Sequence, residues 1–390
     1  MFSHRTAWKL APNPFTLALE EIKASGKQLL DLTASNPTRV GLTYDADAIL
    51  GALARPESLD YDPQPKGLLA ARKAIGRYYR EQHDNYNLNP EHTFLTTSTS
   101  EAYSYIFRLL CNPDDEILVP KPSYPLFEFL ADLQDVKLVP YLLLYDHGWH
   151  IDFPSLYKGT NHRTRGVVVV HPNNPTGSYV RQDEREMLNK FCCEYDLAII
   201  ADEVFLDYPH DGAFRDSFAS NAGALTFTLS GLSKISGVPQ MKLAWIASSG
   251  PEEKVREAVA RLEVIADTFL SVNAPVQWAA PALLEERKKL QPILLDRVRV
   301  NLDELDRQLS GLATCRRLDV EGGWYAVVRV PVTKSDEELA IEILRKAYVV
   351  VHPGHFYDFP VDGHLVVSLI PDPAIFREAA SRLMTVLREL

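Results

Sequence analysis

Short apolar runs alternate with longer amphipathic ones over the first three-quarters of the chain. The short runs read as strands at Thr93–Thr96, Glu116–Val119, Val136–Tyr141, Gly166–Val170, Ala198–Ala201, Thr226–Ser230 and Leu243–Ala247. Between them, apolar positions recur at helical spacing over Ala102–Leu110, Arg181–Cys193 and Glu252–Leu270. Unbroken runs such as GVVVV and LAII suit strands covered on both faces, as in a parallel sheet flanked by helices. After about Leu283 the texture changes. A charged helical stretch over Glu285–Leu309 precedes a strand pair near Gly323–Val330 and Leu365–Leu369, then a closing helix from Pro373. The pattern predicts an α/β fold, a mostly parallel seven-stranded sheet between helices in a large domain (46–284). An N-terminal arm (1–45) would contribute to a smaller α+β domain completed by residues 285–390.

Composition narrows the class. The chain has 390 residues, 46% of them apolar and 24% charged, as in ordinary globular proteins. Its formal charge of −11 argues against a nucleic-acid or membrane-surface binder. The first residues, MFSHRTAWKLAPNPF, lack the apolar core of a secretory signal. Four cysteines, two of them adjacent at Cys192 and Cys193, make neither a disulfide framework nor a metal-ligand spacing, so no metal is expected. The expectation is a cytoplasmic globular enzyme, with both adjacent cysteines in its core.

Ligands of open parallel sheets bind beyond the carboxyl ends of the strands, and four of those ends are unusual here. Thr96-Thr97-Ser98-Thr99-Ser100-Glu101 sets five hydroxyls at a helix start, where unpaired N–H groups and the dipole attract an anion; an N-cap supported by Glu101 is the plainer alternative. His171-Pro172-Asn173-Asn174-Pro175-Thr176-Gly177 reads either as a tight turn or as two amides offered to a ligand. Asp202 directly follows a buried strand, so it is either a cap or an acid needing a cationic partner. Lys234 lies among small residues in Ser230–Gly237, a poor place for a solvated charge and a good one for an amine nucleophile. A phosphate cradle, a buried acid and a buried amine match a cofactor with a phosphate, a ring cation and an aldehyde, which is pyridoxal 5′-phosphate (PLP).

At these residues the chain resembles the class I/II, aspartate-aminotransferase-like PLP enzymes of fold type I. Ser98-Thr99-Ser100-Glu101-Ala102, Pro122-Ser123-Tyr124-Pro125, Asn173–Gly177, Asp202-Glu203-Val204-Phe205 and Ser233-Lys234 match that family in order and spacing. The resemblance implies an aminotransferase moving an amino group between an amino donor and a keto acid. Lys234 would form the Schiff base and shuttle the proton, and Asp202 would pair with the pyridine nitrogen. Asn174 would donate to the ring oxygen O3′ beside the substrate, and Tyr124 would stack on the ring. Ser98, Thr99, Ser100 and Ser233 would surround the phosphate. Tyr61 would reach the phosphate of a neighbouring subunit, which makes the expected assembly a homodimer with shared sites.

Three departures stand out. Lys242 occupies the place of a phosphate-binding arginine, keeping the charge without the bidentate fork. Phe205 replaces a tyrosine that donates to O3′, so that oxygen is expected to be more basic. Val366 stands where the family has the arginine that grips the substrate carboxylate. Arg39, in the turn Asn36-Pro37-Thr38-Arg39, is the candidate substitute, and Arg329 is read as structural. The same scaffold also serves lyases, decarboxylases and racemases, and a PLP-binding protein without turnover is a further alternative.

Overall fold

The structure, a computed structural model, describes residues 1–82, 86, 88–125, 127–211 and 215–390. Its centre is a sheet of strands β1 (Thr93–Thr96), β2 (Glu116–Lys121), β3 (Lys137–Tyr145), β4 (Trp149–Ile151), β5 (Thr164–Val170), β6 (Ala198–Asp202), β7 (Thr226–Gly231) and β8 (Ala244–Ser249). Their spatial order is β1-β8-β7-β6-β5-β2-β3-β4. The pairs β7/β6, β6/β5, β5/β2 and β2/β3 are parallel; β8 runs against both its neighbours and β4 against β3. The sheet has eight strands where the sequence pattern predicts seven. The extra one is the edge strand β4, three residues long, which returns from β3 through His147 and Gly148, both at positive φ. A run that short carries no alternation signal.

Two apolar layers cover the sheet. Ile117, Val119, Val168, Ile200, Phe227 and Ile246 pack beneath helices α1 (Thr99–Leu110) and α2 (Glu252–Phe269). Leu118, Val167, Val169, Ile199 and Ala201 face Leu188, Phe191 and Cys192 of the helix Gln182–Glu194. Central strands apolar on both faces are what such burial requires. Cys192 is buried there, whereas Cys193, on the next helical position, is exposed rather than in the core, its Sγ donating to the Gly223 carbonyl at 3.0 Å.

A second sheet joins Arg316–Arg317, Tyr325–Arg329, His364–Ser368 and His352–Pro353, all neighbours antiparallel. The helices Asp336–Ala347 and Pro373–Leu387 pack against it around Val327, Leu365, Val367 and Phe376. The N-terminal segment enters this layer through a short parallel pair, Leu30–Asp31 with Val349–Val350. The long helix α3 (Ala274–Leu309) begins well before Glu285, where the charged pattern starts. Asn273 caps it by accepting from Val276 N at 3.1 Å, and its first half packs on Ile75, Leu232 and Ile235 of the large layer. Among the described residues no helix is long and apolar enough to cross a membrane.

Candidate active site

The carboxyl ends of β1, β5, β6 and β7 open into one cavity of about 300 Å³. Its walls include Ser98, Thr99 and Ser100 from the start of α1, Asn174 after β5, Asp202 at the end of β6, and Ser233 and Lys234 after β7. Tyr124, Phe205 and Tyr325 add aromatic surface, and Ser35 arrives from the N-terminal segment. Convergence of these strand ends on one hollow is what a parallel sheet with βα turns produces.

Asp202 is buried, and burial raises its carboxyl to about 6 despite three opposing influences. Val204 N donates to Oδ1 at 3.2 Å, Tyr103 Oη donates to Oδ2 at 3.1 Å, and Lys234 contributes positive charge. The acid is therefore a strand-end carboxylate held by its own loop, a neighbouring helix and a cation.

Lys234 lies in the helical turn Leu232–Ile235. Gly231, just before it, is required by close approach: a Cβ there would lie 2.9 Å from both Ala244 Cβ and the Leu243 carbonyl. Tyr208 Oη donates to the Lys234 carbonyl at 2.6 Å and Tyr44 Oη to the Gly237 carbonyl at 2.7 Å, which fixes the turn. The side chain is half-buried, and its Nζ donates to the Ser35 carbonyl at 3.3 Å. Desolvation lowers its pKa to about 8, with Asp202 opposing. At neutral pH an appreciable fraction of this amine is unprotonated and nucleophilic.

The two asparagines differ. Asn173 is spent inside the protein: its Nδ2 donates to the Pro122 carbonyl at 3.1 Å and Thr176 Oγ1 at 2.9 Å, and its Oδ1 accepts from Ser123 Oγ at 3.0 Å. That network ties the Tyr124 loop to the Asn174 loop. Asn174 lines the cavity with a buried Oδ1 that has no hydrogen-bond partner. The other end of the amide, Nδ2, makes no hydrogen bond within the protein among the described residues and is the end able to donate to a ligand. The hydroxyls divide likewise. Thr97 Oγ1 donates to Glu101 Oε2 and Thr96 Oγ1 to the Ser98 carbonyl, so both serve the fold. Ser98 caps α1, accepting from Glu101 N at 3.2 Å. Among the described residues Thr99, Ser100 and Ser233 make no side-chain hydrogen bond within the protein, leaving three hydroxyls at a twelve-residue helix's N-terminus and the adjoining turn. This donor set, the orphaned amide and the amine–acid pair fit PLP.

Other expected site residues lie outside the cavity wall. Lys242 is exposed, in a left-handed conformation at φ 53°. Tyr61 is 84% exposed and belongs to a separate hollow with Gly67, Tyr105 and Ser271. Arg39 is exposed and, among the described residues, has no ion pair. Arg329 is exposed at the end of its strand, and Val366 is buried in the small sheet between Val327 and His352. Three contacts have no counterpart in the sequence motifs: the Ser35 carbonyl on Lys234, the Tyr103 hydroxyl on Asp202, and the ring of Trp324 facing the lysine. Only the position of Tyr103 on the inner face of an amphipathic helix gave a signal, and its partner none.

Comparison with known proteins agrees with this geometry. The model of the family "aminotransferase class I and II" matches residues 28–383. A glutamate-pyruvate aminotransferase of Haemophilus influenzae is 27% identical over 377 residues, covering 94% of this chain and 92% of that protein. An alanine aminotransferase of Mycobacterium tuberculosis is 26% identical over 360 residues, covering 90% and 83%. The solved alanine aminotransferase of Pyrococcus furiosus superposes with a TM-score of 0.89 over 100% of both chains at 24% identity, a likeness of fold. A lysine, an acid and an orphaned amide on strand ends of this fold, with a family match over nearly the whole length, make the chain a member of the class I and II aminotransferases, an enzyme that transfers amino groups.

Proposed function

We propose that the cavity binds PLP and that Lys234, Asp202 and Asn174 run a transamination between an amino donor and a keto acid. The convergence of Asn174, Asp202, Lys234 and the free hydroxyls of Thr99, Ser100 and Ser233 on one cavity carries this reading. When bound, PLP supplies an aldehyde for the donor's amine and a ring that draws electrons from its Cα–H bond. Lys234 would hold the aldehyde carbon at rest and, once displaced, take the proton from Cα and return it through Nζ. Asp202 would keep a proton on the ring nitrogen, a role suited to a carboxylate buried at the end of β6. Asn174 would turn its amide to the ring oxygen, and Tyr124 would cover one ring face. Ser98, Thr99, Ser100 and Ser233 would take the phosphate, and Lys242, exposed outside the cavity wall, would add positive charge.

The donor's carboxylate would be met by Arg39, an exposed guanidinium four residues beyond Ser35, whose carbonyl touches Lys234. The relatives' names, glutamate-pyruvate and alanine aminotransferase, favour glutamate or alanine as donor. Tyr61, exposed beside Leu59, suits contact with a second copy of the chain, so a homodimer with shared sites belongs to the same reading. Cytoplasmic residence also belongs to it, in keeping with four unpaired cysteines.

Borohydride reduction of PLP-treated protein, followed by peptide mapping, tests the central assignment. The expected result is one pyridoxyl group on Lys234, and an unmodified Lys234 would sink it. A sedimentation mass of one chain would remove the dimer.

A further inference from the structure

We propose that Tyr103 is a positioning residue for the Asp202 carboxylate, supplying the hydroxyl that keeps this acid ionised and aimed at the cofactor's ring nitrogen. The inference rests on the role proposed for Asp202 above. Tyr103 sits on the inner face of α1, 2% exposed, among Ala102, Ile106 and Phe107. Its ring packs edge-on against Phe127 at 5.3 Å between centroids and tilted against Phe107 at 5.9 Å. Phenylalanine would serve that packing equally well and would spare the burial of a hydroxyl. The hydroxyl instead donates to Asp202 Oδ2 at 3.1 Å.

The bond acts on a carboxylate whose surroundings otherwise favour its protonation, because burial is the largest influence on it. A donor to the charged form opposes that, and charge-assisted bonds are about twice as strong as neutral ones. Val204 N already holds Oδ1, so the two donors grip both oxygens and stop the group from rotating. Burial and the nearby Asp202 charge push the Tyr103 phenol well above its ordinary range, so it remains a proton donor at every working pH. The other titratable groups near Asp202 are Lys234, Tyr124 and Glu203. Glu203 is turned away, accepting from Ser217 Oγ at 2.6 Å and from Phe218 N. None of the three donates a hydrogen bond to Asp202, so Tyr103 is its only side-chain donor among the described residues.

Loss of the hydroxyl makes Asp202 a stronger base, which then takes the proton from the ring nitrogen. The test is the nitrogen-15 resonance of PLP labelled at the ring nitrogen and bound to the intact protein, followed from pH 6 to 9. The wild type is expected to show a protonated nitrogen throughout. Tyr103→Phe is expected to move the resonance towards the unprotonated value within that range and to raise the PLP dissociation constant about tenfold. Asp202→Asn separates the possible failures. If it leaves the resonance as in wild type, the role of Asp202 itself is wrong. If it abolishes protonation while Tyr103→Phe matches wild type, only the role of Tyr103 falls. Should Tyr103→Phe not fold, 3-fluorotyrosine placed at 103 gives the same decision: its fluorine signal must shift between the wild-type and Asp202→Asn backgrounds, and an unmoved signal overturns the assignment.

Discussion

Lys234 Nζ stands 4.8 Å from the centroid of the Trp324 ring, over its face. Trp324 is fully buried and meets Phe205 and Tyr208 edge-on at 5.2 and 5.1 Å. Tyr208 in turn holds the lysine's own carbonyl, so one indole supports both the amine and the turn that carries it. Trp324→Ala should cost about 3–5 kcal/mol, the usual range for emptying a buried aromatic site. Urea unfolding measures it, and a loss below about 1 kcal/mol would show that the ring is not part of the core.

The depressed pKa of Lys234 sets the direction of a pH effect. The ordinary lysine value is lowered to about 8 by burial, and the Asp202 charge pulls the other way. The neutral amine, which is the nucleophile, therefore grows as pH rises through about 8. Capture of pyridoxal by cofactor-free protein should accelerate over that interval. Asp202→Asn removes the charge that favours the ammonium, so its rate profile should shift to lower pH. A shift to higher pH would contradict the coupling.

Phe205 is 3% exposed, and its ring lines the cavity without a hydroxyl. Phe205→Tyr adds a donor where the family commonly has one. A hydrogen bond to a charged oxygen is worth about 1.5–3 kcal/mol, or one to two pKa units. The visible absorbance of the PLP-loaded variant should therefore titrate about one unit or more below wild type. Coincident titrations would mean that the new hydroxyl does not reach the ring oxygen.

Arg39→Ala tests the replacement for the carboxylate clamp. Arg39 is exposed and has no ion pair among the described residues, so its loss should leave the melting temperature nearly unchanged. If it binds the donor's carboxylate, the donor KM should rise about tenfold to a hundredfold, the worth of a charge-assisted bond. An unchanged KM would dispose of the proposal.

Much of this site was legible along the chain because strand-end chemistry is local. A buried apolar strand followed by Asp202, or by Ser233 and Lys234, places an acid or an amine at a strand end within a few residues. The hydroxyl run after β1 was legible too, but not its division of labour. Thr96 and Thr97 turn inward to Ser98 and Glu101, while Thr99 and Ser100 face the cavity, a difference set by where α1 begins. The paired amides divided the same way, Asn173 into the Ser123 and Pro122 network and Asn174 into the hollow.

The amino-acid sequence alone determined the parallel core, the order of its strand-end motifs and the identity of the amine and the acid, because two-sided burial and turn chemistry act between near neighbours. Tertiary structure alone decided the long-range contacts: Tyr103 on Asp202, separated by 99 residues, and the Ser35 carbonyl on Lys234, separated by 199. It also decided that Arg39 and Lys242 are exposed, whereas Val366 is sealed in a sheet. Such contacts depend on how layers stack, and a hydroxyl on a helix face or a carbonyl in a loop has no periodicity that names its partner.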